Sequence, residues 1–461
     1  MILYTGHVSE AVHNGAEISF RLREFSRPPR MPSARVMRSV LTAIVLTRTN
    51  ALRTGARLYS SSVTGEMSRT KRARMVAVEQ SRFITGADGN NVTPYIANLI
   101  GRNLHKKDAH PLGIIKAKIE NYFAKLPGDT KFDIVDNLDP LVNAQECFDD
   151  LLIPTDHPGR KPSDTYYVSR PGGREVSSAT DKLLRTHTSA HQSTLMRSGK
   201  EAFLCTGDVY RRDEIDATHF PVFHQMEGVK LFDPALVGGA MSRDEWLASD
   251  GCKLVATDLK KTLEGLVDEL FGPVEKQWRD DFFPFTEPSF ELDIFYNGDW
   301  MEVLGCGVIH SGVLSNCELS HRHGWAFGLG LERLAMVLYT IPDIRLFWSD
   351  DQRFLSQFKA GQINTFQSYS KFPPCLKDIA FWLPEGFEPN DFFELGRGVC
   401  GELVEKIELV DEFTNAKKGK TSHCYRITYR SMERSLTNEE INVMQEQLRE
   451  QAATKLKVEL R

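Results

Sequence analysis

The chain has 461 residues, enough for two or three domains with cores of their own. Hydrophobic residues make up 41% and charged residues 26%, and no apolar run nears the ~20 residues of a membrane-spanning helix, which argues against an integral helical membrane protein and against a disordered polyelectrolyte. Eight cysteines without a CxxC pair speak against a disulfide framework or zinc ribbon, and a net charge of −5 means that any nucleic acid must be met by local basic patches.

That charge is unevenly placed. Residues 1–75 carry 13 Lys and Arg against 4 Asp and Glu. Between residues 25 and 65, Arg27, Arg30, Arg35, Arg38, Arg48, Arg53 and Arg57 occur without one acid, and the run ends in Ser60-Ser61-Ser62. Arg-rich, Ser-containing and acid-free is the composition of a mitochondrial transit peptide, so 1–75 reads as a targeting segment with the mitochondrial matrix as its destination. The alternative is a basic arm that touches RNA. Glu10, Glu17 and Glu24 interrupt the pattern earlier, which makes Met31 or Met37 the more natural start.

Globular text begins near Pro111, where Leu112, Ile115, Ile119 and Phe123 fall at helical spacing. Residues 132–154 mix apolar and acidic positions and stop before the turn His157-Pro158-Gly159. Short apolar segments then alternate with turns to residue 310, which predicts an antiparallel sheet with helical inserts such as 258–271. The stretch 233–255, with Gly238-Gly239, has no evident role. A helix follows Gly330, with Leu331, Leu334, Ala335 and Leu338 on one face. After a break at 361–370 the order is strand (379–383), helix (392–402), strand (404–410), strand (425–430) and helix (438–456). Thr437 and Glu440 form a capping box for the last helix. The order predicts a ferredoxin-like βαββαβ sandwich. The division is therefore 1–75, a catalytic body over 76–365, and a C-terminal unit over 366–461.

The most informative stretch is Gly207-Asp208-Val209-Tyr210-Arg211-Arg212-Asp213, followed by His219-Phe220-Pro221-Val222-Phe223-His224-Gln225-Met226-Glu227. An arginine leaves a strand and a second strand returns with Phe223, Gln225 and Glu227 alternating. Such a hairpin can hold a planar ring over Phe223 while Arg211 grips phosphate, because the guanidinium binds phosphate oxygens bidentately and keeps its charge. Alone, the same pattern fits a surface hairpin with a salt-bridged arginine. About 100 residues on comes Gly328-Leu329-Gly330-Leu331-Glu332-Arg333, glycines before a helix headed by an arginine. It lacks the third glycine of a dinucleotide fingerprint.

These two stretches, in this order, resemble motifs 2 and 3 of the class II aminoacyl-tRNA synthetases. Leu184-Arg185-Thr186-His187-Thr188-Ser189, Phe283-Pro284-Phe285, Gly305-Cys306-Gly307 and Gly324-Trp325-Ala326-Phe327-Gly328 resemble the phenylalanyl members, and the C-terminal unit resembles the ferredoxin-fold anticodon-binding domain of their organellar form. The resemblance spans roughly 95–461. It implies an α+β fold, a class II antiparallel sheet flanked by helices with the anticodon-binding unit appended. It further implies ATP and Mg²⁺ as cofactors, L-phenylalanine and tRNA(Phe) as partners, a monomer and no membrane association.

On that resemblance Arg211 holds the α-phosphate and Arg333 the γ-phosphate, and Phe223 stacks on adenine. Asp213 stands where the class carries Glu, one methylene shorter toward the adenine amino group. Gln225, Glu227 and Ser189 meet the substrate ammonium, with contacts extending over His187, Ala190, His191, Gln192, Thr218, His219, Phe220 and Met226. Phe283, Phe285 and Phe327 supply edge-to-face rings over Ala326, a floor small enough for a benzyl group. Glu302 is a ligand for the metal or a substrate contact. Lys417, Lys418, Lys420 and Arg426 are the nearest basic patch for RNA, in a unit that is slightly acidic as a whole. Cys306, His310, Cys317, His321 and His323 are too irregularly spaced to predict a zinc site. A non-catalytic RNA-binding relative is expected to lack Arg211, Arg333 or the Gln225/Glu227 pair, and all are present.

Overall fold

The computed structural model describes residues 82–84, 86–172, 177–369, 372–417, 419–431 and 434–461. The targeting segment and Lys418 lie outside them.

Strands are numbered in chain order. Short pieces come first: β1 (Asp133–Val135), β2 (Leu141–Asn143), β3 (Tyr167–Ser169) and β4 (Lys182–Leu184). Six longer strands follow: β5 (Ala202–Tyr210), β6 (Val222–Phe232), β7 (Glu275–Phe283), β8 (Thr286–Tyr296), β9 (Asp299–Ile309) and β10 (His323–Gly330). The main sheet has the order β1-β5-β6-β10-β9-β8-β7, antiparallel throughout except for the β1–β5 pair, while β2-β4-β3 form a small sheet beside it.

Two-residue periodicity gives the main sheet two faces of different character. One face carries Val222, Met226, Phe232, Trp325, Phe327, Leu292 and Leu304 and is covered by helices. The helix Pro111–Ala124 packs there, buried through Leu112, Ile115, Ile119 and Phe123 as their spacing predicts; His110 caps it and Pro111 opens it. So does Asp250–Phe271, which starts eight residues before the 258 expected from sequence because the Ser249 hydroxyl accepts from the Cys252 amide. The segment 233–255 turns out to hold two short helices, Pro234–Val237 and Arg243–Ala248, the second with a Ser242/Glu245 capping box, ahead of the start of that long helix.

The opposite face of the sheet carries small residues in its centre: Gly305 and Gly307 on β9 stand beside Gly328 and Ala326 on β10, in register. A Cβ built on Gly330, at the end of β10, meets nothing within 4 Å, so space lies open above the strand end.

The C-terminal unit runs β11 (Cys375–Trp382), helix Pro389–Cys400, β12 (Val404–Asn415), β13 (Lys420–Tyr429), helix Asn438–Lys455 and β14 (Glu459–Leu460). Its sheet order, β12-β13-β11-β14, is all antiparallel. This is the βαββαβ sandwich expected. The helices cover the face bearing Ile379, Phe381, Tyr425, Ile427 and Tyr429, and leave the other open.

Candidate active site

The hairpin of β5 and β6 puts alternating residues on the glycine-floored face. Pairing sets Gly207 opposite Gln225, Cys205 opposite Glu227 and Val209 opposite Phe223. On the other side of β6, Gln225 faces Gly330 and Glu227 faces Gly328. Gln225 and Glu227 thus stand on one face, two residues apart, beside the glycines of β10.

Arg211 leaves β5 with its guanidinium 5.2 Å from the centre of the Phe223 ring, and its Nε donates to the Thr186 carbonyl at 2.8 Å. Arg333 heads the helix Leu331–Tyr339, half-exposed, 3.4 Å from the Glu302 carboxylate. Because β9 pairs Glu302 with Asp293 and Gly305 with Glu291, these carboxylates lie on the same face as Gly305. Arg279, on β7, binds Glu291 at 2.7 Å and Asp293 at 2.5 Å. The two arginines therefore serve one face, with a cluster of acids at the β8–β9 side. Burial, then the neighbouring Glu302, pushes Glu291 up to about 7. One oxygen of Glu302 is buried without a hydrogen-bond partner among the described residues.

Ala326, on the glycine face of β10, belongs to an apolar cluster. Phe283 and Phe285 stack 6.0 Å apart at 11° and share a buried cluster with Ala326, Val229, Ile309 and Ala190. Glu227 is fully buried, and that burial pushes its carboxyl up to about 8. The Ser189 hydroxyl works against that shift, yet neither carboxylate oxygen is within hydrogen-bond geometry of a partner among the described residues. A buried acid with both oxygens unsatisfied is costly, and it marks a place that awaits a cationic partner.

The loop 186–192 lines the same side. His187 is buried, and burial together with the Arg211 charge lowers it to about 3, so it is neutral. Burial and the Arg185 charge do the same to His191, whose Nε2 is 2.8 Å from Arg185 Nη1. Gln192 keeps a buried Oε1 without a partner among the described residues. In the connection between β5 and β6, Asp216 accepts from the amides of Thr218 and His219 and sits 2.7 Å from His219 Nδ1, fixing an exposed turn.

Three expected contacts are corrected. Phe327 is next to Ala326 and so points to the helix face, where it stacks on Phe123 at 5.5 Å; a Cβ on Gly228 would meet its ring at 2.1 Å. Met226 lies between Gln225 and Glu227 and is core for the same reason. Phe220 is buried against Trp348 at 5.4 Å. In each case the side chain has the wrong parity or direction to touch a ligand on the glycine face. Four of the five Cys and His residues weighed for zinc have partners of their own: Cys306 is in the helix-face core, Cys317 donates to the Ser193 carbonyl, His310 caps the helix Ser311–Asn316, and His323 stacks on Trp246 at 3.5 Å.

Arg185 and Glu332 stand within the quoted motifs, but the sequence assigned them no role. Arg185 threads beneath the hairpin and binds Asp208 at 2.7 Å; a Cβ on Gly207 would meet Arg185 Nη2 at 2.1 Å, so glycine is required there. The Glu332 carboxylate accepts from the His224 amide at 2.8 Å and pairs with its Nδ1 at 2.7 Å, tying the two motifs together.

A family model described as the class II core domain (F) of tRNA synthetases matches residues 95–236 and 245–358, and one for the ferredoxin-fold anticodon-binding domain matches 370–461. The gap between the two core stretches falls in the segment of Gly238-Gly239. The chloroplastic/mitochondrial phenylalanine–tRNA ligase of Arabidopsis thaliana is 52% identical over 375 residues, covering 81% of this chain and 83% of that protein. The chain belongs to the phenylalanine–tRNA ligases. The mitochondrial ligase of Dictyostelium discoideum is 48% identical, with 81% of this chain and 90% of that protein covered; that of Saccharomyces cerevisiae is 37% identical, with 90% and 100%. In this family's terms, the β5–β6 hairpin is motif 2 and the β10–helix junction is motif 3.

Proposed function

We propose that this chain joins L-phenylalanine to tRNA(Phe) in mitochondrial protein synthesis, using ATP and passing through phenylalanyl-adenylate. The observation that carries the reading is a single sheet face bearing a guanidinium over a phenylalanine ring, a buried carboxylate unpaired among the described residues, and an apolar cluster of Phe283 and Phe285 with Ala326. A nucleotide base fits the first, an ammonium the second and a benzyl group the third.

The substrate carboxylate attacks the α-phosphate in line, pyrophosphate leaves, and the tRNA terminal hydroxyl then displaces AMP. The protein forms no bond in either step, so its contribution is positioning and charge stabilisation. Arg211 neutralises the charge growing on the α-phosphate, and Arg333 holds the γ-phosphate. Glu227, Gln225 and Ser189 take the ammonium; Phe283 and Phe285 face the ring. Glu302, with an unsatisfied buried oxygen, and Glu291, whose carboxyl burial and then Glu302 push up to about 7, would hold Mg²⁺. When bound, the ion offsets phosphate charge.

Residues 76–365 form the catalytic body and 366–461 the tRNA-reading unit, acting as a monomer in the mitochondrial matrix; residues 1–75 direct import. The test is ATP–pyrophosphate exchange with each amino acid in turn. Phenylalanine is expected to give the highest rate, with tyrosine next. An apolar slot rejects the extra hydroxyl only by burying it unpaired, a penalty of about 1–3 kcal/mol, and neither proposed domain is left over for editing. Hydrolysis of tyrosyl-tRNA by the purified chain counts against that part, and exchange with a different acid alone overturns the whole reading.

A further inference from the structure

On the outer strands of the main sheet, Glu291 and Asp293 lie two residues apart on β8, with Glu302 opposite Asp293 on β9 and Arg279 opposite Glu291 on β7. Neighbouring strands run about 4.8 Å apart, so these groups share one small patch. Asp281, also on β7, reaches Glu291 as well. Four carboxylates there face two guanidiniums, Arg279 and Arg333. The side chains of Glu291 and Asp293 are only 9% and 10% exposed, and carboxylates so far from water need a paired charge. Arg279 is their one ion-pair partner among the described residues. Its Nε donates to Asp293 Oδ2 at 2.5 Å and its Nη2 to Asp293 Oδ1 at 3.0 Å, while Nη2 also lies 2.7 Å from Glu291 Oε2. Two features make this hold releasable. The Arg279 side chain is 47% exposed, against 2% for Arg185, and β7 is an edge strand of the sheet.

We propose that Arg279 is a resident counter-ion at the metal end of the site. It holds Glu291 while no divalent cation is bound, competes with the free cation for that carboxylate, and yields it when a triphosphate's own charge draws the cation in. The role rests on the placement of Mg²⁺ at Glu291 and Glu302 given above; the ion pairs rest on their own geometry. A carboxylate oxygen that accepts from a guanidinium has less lone-pair capacity left for a metal, and a dication beside a guanidinium meets like charge. Both effects weaken binding of the free ion. They weigh less on an ion carried by nucleotide, because the phosphates offset the added charge. The contacts of Arg279 with Asp293 are separate from the one with Glu291, so it can give up the second and keep the first. Arg279 is thus a positioning residue, which sets when Glu291 becomes available.

Titrating Mn²⁺, which shares the oxygen ligands of Mg²⁺, into the full chain without nucleotide tests it, with the free ion measured by paramagnetic resonance. Arg279→Met is expected to bind Mn²⁺ about tenfold more tightly than the parent. Arg279→Gln, uncharged but still able to donate to Asp293, should gain by a similar factor. Without metal the melting temperature of Arg279→Met should fall, since two nearly buried acids lose their partner, and Mg²⁺ should recover more of it than it adds to the parent. Equal Mn²⁺ affinity in the parent and in the folded variants overturns the proposal and leaves Arg279 a brace of the fold. So does a gain that survives Glu291→Gln. A gain lost on Glu291→Gln but kept on Glu302→Gln sustains the role of Arg279 and sinks the placement of Glu302 instead.

Discussion

Glu227 shows how one side chain links stability to substrate. Its carboxyl is pushed from an ordinary 4.5 up to about 8 by burial. Below pH 4.5 folded and unfolded chains both hold the proton, and nothing is lost. Between 4.5 and 8 only the folded chain holds it, so stability falls as pH rises, and above 8 the full penalty is present. Glu227→Gln is therefore expected to raise the unfolding midpoint at pH 8.5 and to leave it nearly unchanged at pH 4.5. Substrate binding has the opposite slope, because the ammonium needs the ionised acid. The phenylalanine KM of the parent enzyme should fall about 25-fold between pH 6.5 and 8.5, as the ionised fraction of a group titrating near 8 rises, and the glutamine variant should lose that slope. A flat parent profile rules the idea out. At this scale the site was legible wherever strand parity was respected: Gln225 and Glu227 alternate, and so share a face. Phe327 and Met226 were misplaced because each sits one residue from a true site position, and a strand sends neighbours to opposite sides.

At the level of elements, motif 2 and motif 3 meet through a carboxylate. β10 ends at Gly330, paired with Gln225, so the His224 amide falls one residue past the ladder. Glu332 takes it, replacing the missing strand, and the next residue is Arg333. Glu332→Ala leaves a buried N–H unpaired, a loss of about 1–3 kcal/mol. It also frees the helix start that aims Arg333. The expected result is a lower urea midpoint together with a higher KM for ATP, and Glu332→Gln, which keeps an acceptor, should fall between. An unchanged ATP KM in the alanine variant would show that the helix is held by other packing. Arg211→Ala, by contrast, should cut the exchange rate about 10²–10³-fold with little effect on the urea midpoint. The identity of Glu332 was visible in the sequence, but its partner is 108 residues away, and no local periodicity points to it. Element types were legible and ends were not. Ser249 caps a helix earlier than its apolar stripe begins, and β12 runs to Asn415 as a solvent-facing edge, where hydropathy carries no signal.

On the scale of the whole molecule, the C-terminal unit is docked on the motif 2 connection. Arg397, buried in the helix Pro389–Cys400, donates to the backbone carbonyls of Asp213 and Glu214 and pairs with Glu394 at 3.3 Å. Glu394 in turn accepts from Tyr166 at 2.6 Å and Thr93 at 2.9 Å. The Ile407 amide reaches the Ile215 carbonyl at 3.0 Å, and Arg345 donates to the carbonyls of Glu402 and Val404. The two domains were legible from composition and element order. Their docking was not, since its acceptors are mostly backbone carbonyls, which every residue has. Removing Arg397 strands the buried Glu394 charge and unpairs two carbonyls, and breaking one side of a buried pair costs about 3–5 kcal/mol. Since this contact joins the units, the loss should appear in their coupling. Arg397→Met is expected to split urea unfolding, followed by fluorescence, into an early step from the C-terminal unit and a later one from the catalytic body. Adding Glu394→Gln removes the stranded charge and should recover part of the first midpoint. A single transition at the parent midpoint in Arg397→Met means that the apolar contacts around Ile215 and Ile407 suffice to hold the units as one.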